Sequence, residues 1–172
     1  MPEISFENCS RERLNLGSGK SYKQYFWNVD INPKFNPDLV CDMMKLECQK
    51  DLFIEVLMHD VLDHVTFHEA HVLLRRVLGW LKKDGILSVH TPNLDFLVEV
   101  LYKSTDKELR HEAIKWLYST DGMGTTDYKS NSIRWCYNRK SLTELLEGVG
   151  FKILHSDINC DGFGLTVIAQ KC

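Results

Sequence analysis

Three short polar cues hold the residues best suited to chemistry. Gly17-Ser18-Gly19 follows the apolar stretch Arg13–Leu16, Asp30 follows Phe26–Val29, and Asp42 follows Leu39–Cys41. Glycine has no Cβ, so backbone can approach a ligand closely at such a bend. An ionised aspartate only accepts hydrogen bonds, and its two oxygens suit a pair of donors. If each apolar stretch is a strand of one open parallel sheet, the cues line its carboxyl edge, where such folds bind ligands. The pattern predicts one small-molecule site.

The glycine pair fits two common phosphate-binding patterns poorly. A dinucleotide fingerprint needs a third glycine where Tyr22 stands and an acid about 20 residues on, whereas Asp30 lies 13 positions beyond Gly17. A P-loop ending at Gly19-Lys20-Ser21 needs a glycine where Leu14 stands, so its long backbone cradle is missing.

Histidine titrates near neutrality, which makes His59, beside Asp60, and His90 candidate general bases, with His64 close by. His64, His68 and His71 with Asp60 and Asp63 suggest a metal cluster. However, His68-Glu69-Ala70-His71 lacks the i, i+4 histidines of HExxH, so a polar helix surface is expected and no metal is assigned. The six cysteines form no CxxC pair and read as free thiols of a reducing compartment.

These residues need strands and helices to position them. Ile54–Met58 reads as a fourth strand. Thr66-Phe67-His68-Glu69 has the form of a capping box, and Ala70, Leu73, Leu74, Val77, Leu78 and Leu81 recur at helical spacing. Lys82-Lys83 suit the last turn of that helix and Gly85 its stop. Ile86–His90 is a fifth strand, so the strand–helix–strand unit predicts a right-handed parallel crossover. Phe96, Leu97, Val100 and Leu101 suggest a helix after Asn93, and Thr105–Glu108 caps a second. A polar loop spans 121–132. Leu142, Leu145, Leu146 and Val149 mark a further helix, ended by Gly148 and Gly150. Residues 151–154 and 165–169, joined through Asp161–Gly164, form a closing antiparallel pair.

A chain of 172 residues with 44% hydrophobic and 26% charged content suits one globular domain. The reading is a single domain over 1–172, with a polar lead-in at 1–12 and a less regular segment at 94–137. The net charge of −3 gives no basis for nucleic-acid binding. No apolar run suits a membrane span, and no secretory leader is read in Met1–Ser10. A cytoplasmic location is therefore expected.

Five segments in order then resemble a known family: Leu14–Gly19 (LNLGSG), Asn28-Val29-Asp30, Asp38–Asp42 (DLVCD), Asp60–His64 (DVLDH), and Arg76-Val77-Leu78 followed by Lys83–Leu87. They resemble the small class I S-adenosylmethionine-dependent methyltransferases, in particular the methyltransferase-11-like group with a shortened glycine loop. Tyr137–Phe151 fits as well. The resemblance implies a three-layer α/β/α Rossmann-like fold, mostly parallel with an antiparallel C-terminal strand. It also implies S-adenosylmethionine as cofactor and methyl transfer to a small-molecule or sugar-type acceptor. Carried onto this chain, it places Leu16, Gly17, Ser18, Gly19, Asp30, Ile31, Asp42, Met43 and His59 around the cofactor. Asp30 would take the ribose, and Asp42 with Met43 the adenine. His90 and His59 are the candidate catalytic residues, and the 94–137 segment, with Tyr128, Arg134 and Trp135, would cover the acceptor. The chain departs from the family pattern at Asp60 and Asp63, in Lys83-Asp84-Gly85-Ile86, and at Ile133-Arg134 before Trp135. A non-catalytic binding or regulatory subunit on the same fold is the rival reading.

Overall fold

A computed structural model describes residues 11–118 and 132–172. Most of the lead-in, Cys9, Tyr128 and nearly all of the 121–132 loop lie outside the described residues. The strands are β1 (Arg13–Leu16), β2 (Trp27–Asp30), β3 (Leu39–Val40), β4 (Phe53–His59), β5 (Leu81–Pro92), β6 (Phe151–Ile158) and β7 (Gly164–Lys171). The helices are α1 (Phe67–Trp80), α2 (Leu94–Lys103), α3 (Lys107–Tyr118) and α4 (Arg139–Val149). The sheet runs β3-β2-β1-β4-β5-β7-β6. The first five strands in that order pair in parallel, and β7 is antiparallel to both β5 and β6. This mostly parallel α/β sheet with an antiparallel C-terminal strand is the Rossmann-like class expected from sequence.

Side chains alternate across the sheet, and burial follows that alternation. On one face Leu14, Leu16, Val29, Val56, Met58, Leu87, Val89, Leu165, Val167 and Ala169 are buried in a core shared with Leu73, Leu74 and Val77 of α1 and with Leu142, Leu145 and Leu146 of α4. Each such aliphatic side chain contributes about 1.5–3 kcal/mol on burial. The intervening positions are mostly polar: Asn15, Asn28, Asp30, His59, Ser88, His90 and Thr166.

The capping box of α1 is formed as expected. Glu69 N donates to Thr66 Oγ1, and Thr66 N donates to Glu69 Oε2 at 2.8 Å. The helix ends earlier than its charge pattern suggests. Leu81 is already extended, fully buried, and opposite Phe53 in the sheet. Burying that leucine on the strand outweighs the propensity of Lys82-Lys83 to extend the helix. The register then jumps, with Glu55 facing Ile86, so Lys82–Gly85 bulges from β5. Asp84 sits at φ 63°, and a Cβ on Gly85 would lie 2.8 Å from the Lys82 carbonyl oxygen. Gly85 therefore serves a turn within the strand rather than a helix stop.

A second apolar cluster joins α2 and α3 through Leu97, Val100 and Ala113, with Phe96, Trp116 and Phe163 packed against it. Asp106 Oδ1 accepts from Glu108 N at 2.9 Å, which caps α3 within the Thr105–Glu108 stretch. α4 begins with a capping box between Asn138 and Ser141 and ends at Gly150, at φ 116°.

The β1–β2 connection spans residues 17–26 and contains no helix, although parallel strands ordinarily need a dozen or more residues and a helix to cross over. Side-chain amides hold it instead. Asn15 Nδ2 donates to Ser21 O and to Asn28 Oδ1, each at 3.0 Å. Asn28 Oδ1 accepts from Lys23 N at 2.8 Å, and Asn28 Nδ2 donates to Lys23 O at 3.0 Å. Asp38 accepts from Asn28 N, Arg11 Nη1 and the Tyr22 hydroxyl. Burial works to raise the Asp38 carboxyl, but the hydrogen bonds from Asn28, Arg11 and Tyr22 together hold it below its ordinary value. Both asparagines are buried with their polar atoms paired, as buried polar groups must be.

Candidate functional site

The register brings the sequence cues into one row. Leu16 faces Val29 on one side and Met58 on the other. One step further, Asp30 and His59 end β2 and β4, Gly17 leaves β1, and His59 pairs with His90 two residues before the end of β5. The row Asp30, Gly17, His59, His90 thus crosses four neighbouring strands near the carboxyl edge, on the polar side of the sheet.

At one end of the row the chain bends tightly, with Gly17 at φ 63° and Gly19 at φ 48°. Ser18 N donates to Val29 O at 3.0 Å. Asp30 turns into this bend: Gly19 N donates to its Oδ2 at 2.7 Å, and Asn32 N to its Oδ1 at 2.8 Å. Each carboxylate oxygen therefore keeps accepting capacity for a further donor. A Cβ on Gly17 would lie 2.4 Å from Val61 Cγ2, so the bend packs directly on the β4–α1 connection. Ser18 Oγ is buried and has no hydrogen-bond partner among the described residues.

The other cofactor candidates are less tightly gathered. The Leu16 side chain is fully buried in the core, so only its backbone reaches the bend. Ile31, just past Asp30, is 54% exposed. Asp42 Oδ1 accepts from Met44 N at 2.9 Å, closing its own turn, while about a third of its side chain remains exposed. Met43 packs partly against the core.

At the far end of the row two histidines differ. His59 Nε2 lies 3.1 Å from Ser88 Oγ, and burial, reinforced by nearby His90, lowers its pKa. His90 Nδ1 lies 2.8 Å from Asp60 Oδ1. That hydrogen bond raises the pKa of His90 despite partial burial, with help from the charges of Asp60, Asp63 and Asp161. The His90 Nε2 atom lies 3.3 Å from Asn159 Nδ2.

The acceptor candidates Arg134 and Trp135 gather at the start of α1. Arg134 Nη1 is 3.5 Å from Glu69 Oε2, and the Trp135 ring is 5.2 Å from Phe67. Their amides donate to the carbonyl of Asp63 at 2.7 and 3.2 Å. Tyr128, the third acceptor candidate, lies outside the described residues. Asp63 is deeply buried, and that burial pushes its carboxyl up to about 6. His64 approaches Asp63 at 3.7 Å and His71 packs edge-on against Phe67. Among the described residues no three His, Cys, Asp or Glu side chains converge as a metal site. Cys41, Cys48, Cys136, Cys160 and Cys172 are free thiols, and burial raises Cys48 to about 12. A groove of about 530 Å³ along α4 and β6, lined by Asp95, Arg139, Thr143 and Ile153 among others, shares no residue with the row.

Sequence reasoning missed the amide staple and the Asn159–His90 contact. Asn15 and Asn28 do carry a signal, since each interrupts an apolar strand where a partnerless amide would be costly. Asn159 carries none, because its contact spans 69 residues.

No family model matches the chain, and no curated protein matches it. Its fold does match solved structures. A SAM-dependent methyltransferase from Methanosarcina mazei matches with TM-score 0.66 and 17% identity, over 93% of this chain and 92% of that one. The 1,6-didemethyltoxoflavin-N1-methyltransferase of Burkholderia thailandensis, solved with its substrate and S-adenosylhomocysteine, matches with TM-score 0.58 and 16% identity, over 92% and 70%. A possible exported protein from Bordetella parapertussis matches with TM-score 0.64 and 15% identity over 94% of this chain, which spans only 62% of that protein. The chain has the Rossmann-like fold of the class I SAM-dependent methyltransferases.

Proposed function

We propose that the protein is an S-adenosylmethionine-dependent methyltransferase that methylates a small-molecule or sugar-type acceptor by in-line transfer. The observation that carries this reading is the Asp30 carboxylate, hydrogen-bonded into the Gly17–Gly19 bend at 2.7 Å at the carboxyl edge of β1 and β2. The donor set fits the cofactor. Asp30 has accepting capacity left for a ribose diol, and the two glycines of the bend let backbone lie against the methionine portion. Exposed Ile31 and half-buried Met43 would flank the adenine, with Asp42 accepting from its amine. When bound, the cofactor supplies a methyl group already activated on a sulfonium.

The chain's own residues then have to position and shield. His59 stands next to Gly17 in the row, at the expected methyl end, and His90 beyond it can accept a proton from the acceptor. Arg134 and Trp135, with Tyr128, would cover the acceptor and exclude water. The neighbour solved with S-adenosylhomocysteine and a small-molecule substrate supports both the cofactor and the acceptor class.

Calorimetric titration with S-adenosylhomocysteine tests the reading. Binding with Kd on the order of micromolar, lost in Asp30→Ala, is expected, while NAD and ATP leave the protein unbound. Methyl-labelled cofactor incubated with a metabolite extract should then yield a labelled small molecule. A folded protein that takes up no S-adenosylhomocysteine overturns the proposal.

A further inference from the structure

The two histidines of the row have opposite surroundings. His59 shares its Nε2 with a neutral serine, whereas Asp60, immediately after it in the chain, turns away to meet His90. That turn is built deliberately into the backbone: Asp60 sits at φ 54° and its N–H donates to the His90 carbonyl at 3.0 Å. Backbone and carboxylate of one residue thus both engage His90. From the other side the β6–β7 turn approaches, with Asn159 Nδ2 against Nε2 and Asn159 N donating to Gly164 O at 2.9 Å. A Cβ on Gly164 would lie 2.4 Å from both His90 Nε2 and Asn159 Nδ2. β7 therefore leaves room for this imidazole only because its first residue has no side chain.

An amide NH₂ at Nε2 and a carboxylate at Nδ1 select one neutral tautomer, with the proton on Nδ1 and a lone pair on Nε2. We propose that Asp60 is a positioning residue that fixes His90 in this tautomer as the proton acceptor for methyl transfer to a hydroxyl group. The inference rests on the methyltransferase reading for its reaction, while the Asp60–His90 geometry stands apart from it.

The chemistry selects the acceptor class. A carboxylate is already deprotonated near neutrality and needs no base, a thiol ionises within about two pH units of it, and a neutral amine attacks without one. A hydroxyl group becomes strongly acidic as its oxygen forms the new bond, so a base in reach lowers the barrier. In the balanced step the acceptor oxygen bonds to the methyl carbon while the carbon–sulfur bond breaks, its electron pair staying on sulfur. The hydroxyl proton moves to His90 Nε2. The positive charge lost at sulfur reappears on the imidazolium, beside Asp60, as Asn159 gives way to the acceptor. The ionisable groups facing His90 are Asp60 and Asp63 from the β4–α1 connection, His59 from β4 and Asp161 from the β6–β7 turn.

Histidine NMR titration of the full chain tests the positioning without any turnover. Asp60→Asn is the informative variant, because asparagine tolerates the left-handed conformation. In the wild type His90 should titrate above His59 and show the Nδ1-protonated tautomer. In D60N its midpoint should fall by about one pH unit, with S-adenosylhomocysteine affinity unchanged. An unmoved His90 midpoint, or an Nε2-protonated tautomer in the wild type, overturns the role of Asp60. With methyl-labelled cofactor and catechol, histamine and benzoate as probes, label should pass to catechol and fall at least tenfold in His90→Gln. Transfer to histamine or benzoate in preference, or label undiminished in H90Q, overturns the acceptor class. If S-adenosylhomocysteine fails to bind while the NMR result holds, the methyltransferase reading fails and the Asp60–His90 pairing stands.

Discussion

Gly17 and Gly19 share a left-handed backbone but not the same surroundings. A Cβ at Gly17 would collide with Val61, whereas one at Gly19 would meet nothing closer than 3.9 Å. Gly19→Ala should therefore cost only the conformational penalty, about 1 kcal/mol, and Gly17→Ala about 3 kcal/mol once overpacking adds to it. Urea denaturation of the two variants measures the difference, and equal losses would contradict the packing described here. At this scale the meeting of Asp30 with the glycine bend was legible from sequence, because an acid closes an apolar strand near a glycine pair. Asp42 was read from the same pattern, but its hydrogen bond is to its own turn. The partner of His90 was hidden, since nothing local links it to a residue 30 positions earlier.

Among the elements, those with a strong period or a chemical cap could be read directly. α1 starts where Thr66 and Glu69 say it should, and α4 buries the expected Leu142, Leu145 and Leu146. Boundaries decided by tertiary burial were not readable: Leu81 belongs to the sheet because of what Phe53 places opposite it. The amide staple of the β1–β2 crossover was not readable either, since its partners are set by the fold. Asn28 joins it to β2 through both ends of its amide, so Asn28→Ala would leave Lys23 N and O and the Asn15 amide short of partners. A loss of about 2–3 kcal/mol is expected, with weaker S-adenosylhomocysteine binding because Gly19 and Asp30 are held by the same segment. Stability without loss of binding would separate the staple from the site.

For the whole molecule, the parallel strand–helix–strand unit and the closing antiparallel pair were readable from the apolar segments, while the strand order, with β7 inserted between β5 and β6, was not. Segment 94–137 was placed near the site, and its described end is anchored on the Asp63–His64 turn. The same turn makes stability pH-dependent through the buried Asp63 carboxyl. Burial raises the Asp63 carboxyl above its unfolded value, to about 6, so the folded state binds the proton more tightly. Its contribution is fully present below the unfolded value near 3.8 and is lost as pH rises through about 6. Asp63→Asn removes this dependence. The stability of D63N relative to wild type should rise by on the order of 2 kcal/mol between pH 4 and pH 7.5, as read by denaturant melts at each pH. A pH-independent difference would place the proton elsewhere.

The helix-free crossover has a mechanical side as well. A helical layer braces the apolar face of the sheet, but the rim that carries Asp30 hangs on a handful of side-chain amide hydrogen bonds in place of a helix. Warming the empty protein should loosen that rim before it reaches the leucine-rich layer behind. Any guest seated on Asp30 then acts as a clasp, lending the thinnest part of the architecture a rigidity it does not possess alone.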